Sequence, residues 1–61
     1  MDEYGTRLND YSIKNHKLYR FNRESMIELT LGVIQSSRVI YHGVNRVEIF
    51  ELENGEKYYY M

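Results

Sequence analysis

The clearest pattern of hydrophobic and polar positions lies at the carboxyl-terminal end of the chain. Two runs rich in β-branched and aromatic side chains, 47–53 and 56–61, flank the dipeptide Asn54-Gly55. Asn-Gly suits a two-residue type I′ turn, because both central residues of that turn need a positive φ. The sequence therefore predicts a β-hairpin over residues 46–61.

The length of this turn determines which hairpin residues share a face. A two-residue turn places Phe50 opposite Tyr59 and Ile49 opposite Tyr60. One face of the hairpin then carries Phe50, Leu52, Tyr59 and Met61, and the other carries Ile49, Tyr58 and Tyr60. Since both faces hold apolar side chains, we expect one to pack on the core and the other to meet a partner.

Residues 22–36 fit two periods, and the choice between them decides the fold class. Alternation of apolar and polar residues over 27–33 fits a strand, whereas a helical period places nearly every apolar residue of 22–36 in one arc. Asn22 is a competent helix N-cap, and Glu24 lies where the helix dipole favours an acid. We predict a helix over 22–36. Extension of this helix to His42 and a separate strand near 38–41 both stay open.

The remaining segments complete an α+β prediction. Residues 11–14 and 16–21 are typical of short strands that pair across Asn15, with 16–21 at an edge. The resulting fold is one amphipathic helix packed on a small antiparallel sheet that ends in the hairpin, within a single domain of residues 1–61. Residues 1–9 show no usable pattern and are expected to be poorly ordered. Without the helix, the same residues predict an all-β meander or small barrel.

Length and composition add a prediction about assembly and location. A chain of 61 residues buries a small core, and the absence of cysteine removes disulfides as a source of stability. We therefore expect a homodimer. The amino-terminal residues lack the apolar core of a secretory signal, and no apolar run is long enough to span a bilayer, so a cytoplasmic protein without a membrane partner is expected.

Residues that carry catalytic chemistry are sparse. The two histidines, His16 and His42, are far apart in sequence and match no metal-ligand spacing, and the glycines form no phosphate-binding loop. No serine lies in a nucleophile motif. We therefore expect a protein that is not an enzyme and that has no cofactor, no metal and no small-molecule substrate.

The abundance of tyrosine favours a binding function. The chain has seven tyrosines, and tyrosine is enriched at interfaces because it buries a large rigid ring while its hydroxyl stays hydrogen-bonded. The prediction is protein–protein association, as an inhibitor or accessory factor, through the terminal hairpin. The candidate interface residues are Ile49, Glu51, Tyr58, Tyr59 and Tyr60.

The alternative function is nucleic-acid binding by residues 14–23. This segment combines four cations with two aromatic rings and has no acid, a composition in which cations meet phosphates and rings stack on bases. The low isoelectric point of about 6.1 weighs against this alternative. Its candidate contacts are Lys14, Lys17, Tyr19, Arg20 and Arg23.

Overall fold

A computed structural model describes residues 4–61 and shows six β-strands. The strands are β1 (Thr6–Arg7), β2 (Ser12–Lys14), β3 (Lys17–Asn22), β4 (Ile27–His42), β5 (Asn45–Leu52) and β6 (Lys57–Tyr60). There is no helix in this range, so the α+β prediction is wrong and the fold is all-β, the class of the alternative. It follows that nothing in residues 4–61 is a helix able to cross a membrane.

The strands form one mixed sheet in the order β1-β6-β5-β4-β3-β2, curled into a half-barrel. All neighbouring strands are antiparallel except β1 and β6, which are parallel. Part of the segment predicted to be poorly ordered therefore belongs to the sheet, while its residues 1–3 lie outside the described range. β3 lies inside the sheet and β2 lies at the edge, so the predicted edge position of 16–21 is wrong.

The long strand β4 is shared by both halves of the sheet. Its residues 27–33 pair with β3, and its residues 34–42 pair with β5. At the crossing point, the Ile34 N–H donates to the His16 carbonyl at 2.7 Å and the Glu53 N–H donates to the Val33 carbonyl at 2.9 Å. β4 is therefore the strand that joins the two halves.

The helix predicted over 22–36, with its possible extension to His42, is replaced by a turn and this strand. Asn22 does act as a cap, since its Oδ1 accepts the Glu24 N–H at 3.0 Å and its carbonyl accepts the Met26 N–H at 2.7 Å. Met26 has a positive φ of 55°, which ends the helical turn before Ile27. The capping signal is real, but it belongs to a single turn, because Asx turns and helix caps use the same side-chain bond.

The terminal hairpin is present, but its predicted register is wrong by one residue. Ile49 lies opposite Tyr59 and Phe50 opposite Tyr58. The loop has three residues, because the Gly55 N–H donates to the Leu52 carbonyl at 3.0 Å and Gly55 has a φ of 92°. This is the geometry of a type I turn followed by a left-handed glycine bulge. A one-residue shift moves every side chain of one strand to the other face, so the predicted faces are also wrong.

The predicted pairing of the two short upstream strands is confirmed. β2 and β3 pair through a two-residue loop in which Asn15 and His16 have φ values of 51° and 63°. These are the positive φ values that a type I′ turn needs. The type I′ geometry thus occurs at Asn15 and His16, where the side chains of both residues tolerate it, and not at Asn54-Gly55.

Buried side chains cover both faces of the sheet. One cluster contains Leu8, Leu18, Phe50 and Leu52, and the other contains Val47, Ile49 and Tyr59. Tyr4 and Ile40 pack against the second cluster, with the Tyr4 ring edge-on to Tyr59 at a centroid distance of 5.8 Å. The second apolar face of the hairpin is therefore packed by residues of the same chain.

Candidate functional site

The residues of the predicted protein interface lie largely in the core. Ile49 and Tyr59 are buried, and Glu51, Tyr58 and Tyr60 are half-buried. Strand β6 lies between β1 and β5, away from the edges of the sheet. Ile49 and Tyr59 therefore serve packing within the chain, while Glu51, Tyr58 and Tyr60 keep part of their surface exposed.

A hydrogen-bonded cluster of three side chains, Tyr11, Glu48 and Arg46, lies beside these tyrosines. The Tyr11 hydroxyl donates to the Glu48 carboxylate at 2.9 Å, and the same carboxylate accepts from Arg46 Nη1 at 2.9 Å. The Tyr11 ring packs against Tyr60 at a centroid distance of 5.1 Å. Burial of the hydroxyl, together with its bond to Glu48, raises the pKa of Tyr11 to about 12. The Tyr11 hydroxyl therefore keeps its proton at neutral pH and donates it in the hydrogen bond to Glu48.

The basic segment 14–23 does not act as one surface. Lys14 Nζ donates to Glu28 Oε1 at 2.6 Å and lies 5.6 Å from the centroid of the Tyr19 ring. That hydrogen bond raises the pKa of Lys14 and lowers the pKa of Glu28. Lys17 is exposed at the start of β3, opposite Lys14. Lys14 is therefore paired with Glu28, whereas Lys17, Arg20 and Arg23 have no ion pair within residues 4–61.

Arg20 and Arg23, from the carboxyl-terminal end of this segment, line a cleft of about 270 Å³. Three parts of the chain build the cleft: the strap at 7–10, the end of β3 with its following turn, and Leu29 of β4. The lining residues are Arg7, Leu8, Asn9, Asp10, Arg20, Phe21, Asn22, Arg23 and Leu29. The structure therefore joins two of the five predicted nucleic-acid contacts with a third arginine.

The strap that carries Arg7 is held in place by its neighbours in the chain. Leu8 is buried in the core, and its N–H donates to the Tyr59 carbonyl at 2.7 Å. Asp10 faces the opposite wall, where its carboxylate accepts the Phe21 N–H at 3.5 Å. These contacts bring Arg7 to the same opening as Arg20.

The cleft has an excess of positive charge. It holds three guanidinium groups and one carboxylate, that of Asp10. Within residues 4–61, no carboxylate lies within ion-pair distance of Arg7, Arg20 or Arg23, in contrast to Lys14. The five N–H donors of each of these guanidinium groups therefore have no carboxylate within ion-pair distance in the described chain. The opening is therefore electropositive.

Sequence reasoning missed the strap. β1 has only two residues, so no hydrophobic period marks the segment around Arg7 and Asp10. The pairing of β1 with β6 is parallel and joins the two ends of the chain, and neither end carries a local signal of it. In the described part of the chain, no three His, Asp or Glu side chains converge to hold a metal ion.

Comparison of the chain with protein-family models, with curated proteins and with solved structures finds no match. Function is therefore argued from the cleft itself.

Proposed function

We propose that this chain is a small non-catalytic module that binds single-stranded nucleic acid through the arginine-lined cleft. The observation that carries the proposal is the convergence of Arg7, Arg20 and Arg23, none of which has an acidic partner in residues 4–61. Guanidinium groups bind phosphate through paired, charge-assisted hydrogen bonds. Three of them at one opening suit a run of backbone phosphates.

The remaining lining residues favour a single strand over an isolated phosphate. Phe21 is exposed at the cleft and offers a flat ring on which an unpaired base can stack. Asn9 and Asn22 offer amide groups that donate and accept hydrogen bonds. A single strand presents both phosphates and unstacked bases, so it can contact the guanidinium groups, the ring and the amides of this lining.

The size of the cleft supports binding along a backbone. Sites that enclose a drug-sized molecule usually occupy roughly 300–1,000 Å³. The volume here is about 270 Å³. A short length of backbone can therefore lie across the opening while the rest of the strand stays outside it.

The charge balance of the whole chain sets the expected strength. The net charge is −1, so long-range attraction for a polyanion is weak and the local arginines supply the affinity. Binding through a few phosphates weakens as salt rises, because the release of counterions from the strand, which favours binding, becomes less favourable. We expect moderate affinity that depends strongly on salt.

Fluorescence anisotropy with a labelled oligothymidine tests the proposal. Arg20→Ala and Arg23→Ala should each weaken binding and reduce the slope of log affinity against log salt by about one. The control is Lys57→Ala, which removes one positive charge from an exposed residue of β6 that has no ion pair within residues 4–61 and lies outside the cleft.

Phe21→Ala separates stacking from charge in the same assay. It should lower the affinity for the single strand and leave the salt slope unchanged, since a lost stack removes no phosphate contact. Equal losses in Lys57→Ala and Arg20→Ala would show diffuse charge attraction and contradict the cleft. Absence of binding at low salt would overturn the function.

A further inference from the structure

The second edge of β4 is open along its carboxyl-terminal half. Residues 34–42 pair with β5 on one side, and β3 pairs only with residues 27–33. Past Ile34, no residue of the described chain bonds to the backbone on the β3 side of β4. Since β3 and β5 lie on opposite sides of β4, an unpaired stretch of strand remains.

The hydrogen-bond pattern shows which residues face this open edge. The Leu52 N–H donates to the Glu56 carbonyl, towards β6, so Leu52 directs its backbone groups away from β4. Backbone direction alternates along a strand, so Ile49 and Val47 direct theirs to their β4 partners Arg38 and Ile40. The residues between those partners, Ser37, Val39 and Tyr41, therefore direct their N–H and C=O groups to the open edge.

This edge has little of the protection that exposed strands usually carry. Such edges are commonly blocked by lysine, proline, a bulge or a covering segment. Residues 35–42 contain neither lysine nor proline, and the bulge of β4 lies before Ser36. Val39 and Tyr41 are 40% and 72% exposed. An unblocked edge with exposed apolar side chains is a surface for strand pairing.

We infer that a second copy of this chain pairs with this edge, antiparallel, about a two-fold axis at Val39. A self-complementary edge of this kind gives an isologous dimer, in which the same residues contribute from both copies. In this register Val39 lies opposite Val39 of the second copy, and Ser37 lies opposite Tyr41 of the second copy. All three residues direct their backbone groups to the edge, so each pair can exchange hydrogen bonds.

Shape and charge agree with this register. The large Tyr41 ring lies over the small Ser37 of the second copy, and the two valines meet at the axis. On the other face, Arg38 lies opposite Ile40 of the second copy, so no like charges are placed directly opposite each other. Moving the axis to Arg38 would place the arginines of the two copies directly opposite each other, which is unfavourable. The inference does not depend on the proposed nucleic-acid function.

Light scattering after size exclusion over a hundredfold concentration range tests the dimer. The wild-type chain should reach twice the mass of a single chain as concentration rises. Val39→Lys should remain a monomer, because the two lysines would meet at the axis. The matched control is Val44→Lys: Val44 is 99% exposed in the β4–β5 loop, outside the pairing, and its substitution should leave the dimer unchanged.

Hydrogen exchange on the wild-type chain tests the edge without a substitution. The amides of Ser37, Val39 and Tyr41 should become protected only as concentration rises, while those of Arg38 and Ile40 are protected throughout by β5. A wild-type chain that stays monomeric, a folded Val39→Lys that stays dimeric, or concentration-dependent protection confined to other strands would each overturn the inference.

Discussion

At the scale of single residues, Gly5 marks the point where the amino-terminal segment passes closest to β6. A Cβ atom at Gly5 would overlap the carbonyl oxygen of Lys57, and the φ of Gly5 is +102°. Gly55 has a similar φ of +92° but open space where its Cβ would lie. Substitution of Gly55 therefore measures the cost of backbone strain alone, whereas substitution of Gly5 adds the cost of a steric clash with Lys57.

Gly5→Ala should destabilise the fold more than Gly55→Ala. Both substitutions force alanine into a conformation that costs about 1–3 kcal/mol. Only Gly5→Ala must also push the segment away from Lys57, which disturbs the pairing of β1 with β6. Urea unfolding of the two variants measures the difference, and equal losses would show that the close approach contributes nothing.

Tyr11 gives the molecule a pH dependence at the alkaline end. Its pKa is raised from 10.0 to about 12 by burial and by the bond to Glu48, so the folded chain holds its proton more tightly than the unfolded chain. This contribution to stability is fully present below pH about 10 and is lost as pH rises to about 12. Tyr11→Phe should show a smaller decline of the urea midpoint across this window. An unchanged decline would assign the loss to other groups.

At the scale of elements, β3 anchors the amino-terminal half of the sheet through one side chain. Leu18 is completely buried, while Ile13, its cross-strand partner on β2, is 47% exposed. Leu18→Ala should destabilise the fold by about 2–5 kcal/mol, because it leaves a cavity beside Phe50 and Leu52. Ile13→Ala is the matched control and should cost much less. Thermal unfolding distinguishes them, and similar costs would contradict the packing.

The sequence predicted those elements whose signals are local. The terminal hairpin and the pairing of 11–14 with 16–21 followed from turn residues and short apolar runs. The stretch 22–36 was misread because its apolar residues satisfy both periods and because Asn22 caps one turn. What decided between helix and strand was pairing with β3 and β5, the strands directly before and after β4 in the chain. The period of residues 22–36 alone does not indicate these partners.

The cleft could be predicted only in part. Arg20 and Arg23 were found because they lie in a basic run, whereas Arg7 was not, because contact between the strap and β3 arises from the closing of the sheet. Lys14 lies on β2, outside the cleft, and pairs with Glu28 of β4. A basic segment on a strand divides its charges between two faces, and the sequence does not tell which face is enclosed.

At the scale of the whole molecule, the cleft and the open edge of β4 occupy different regions of the half-barrel. The cleft lies among the strap, β3 and the start of β4, and the edge lies along the other half of β4. A dimer formed at the edge therefore leaves both clefts open. Two linked sites on one strand would raise the apparent affinity above that of either site alone, provided that the strand spans both.

The sharing of β4 has a consequence for how the molecule loses its structure. Each half of the sheet depends on the same strand, and Leu18 of one half packs against Phe50 and Leu52 of the other. Unfolding of either half would remove a hydrogen-bonded strand from the other half and expose the apolar side chains of that half to water. We therefore expect the two halves to unfold as one cooperative unit.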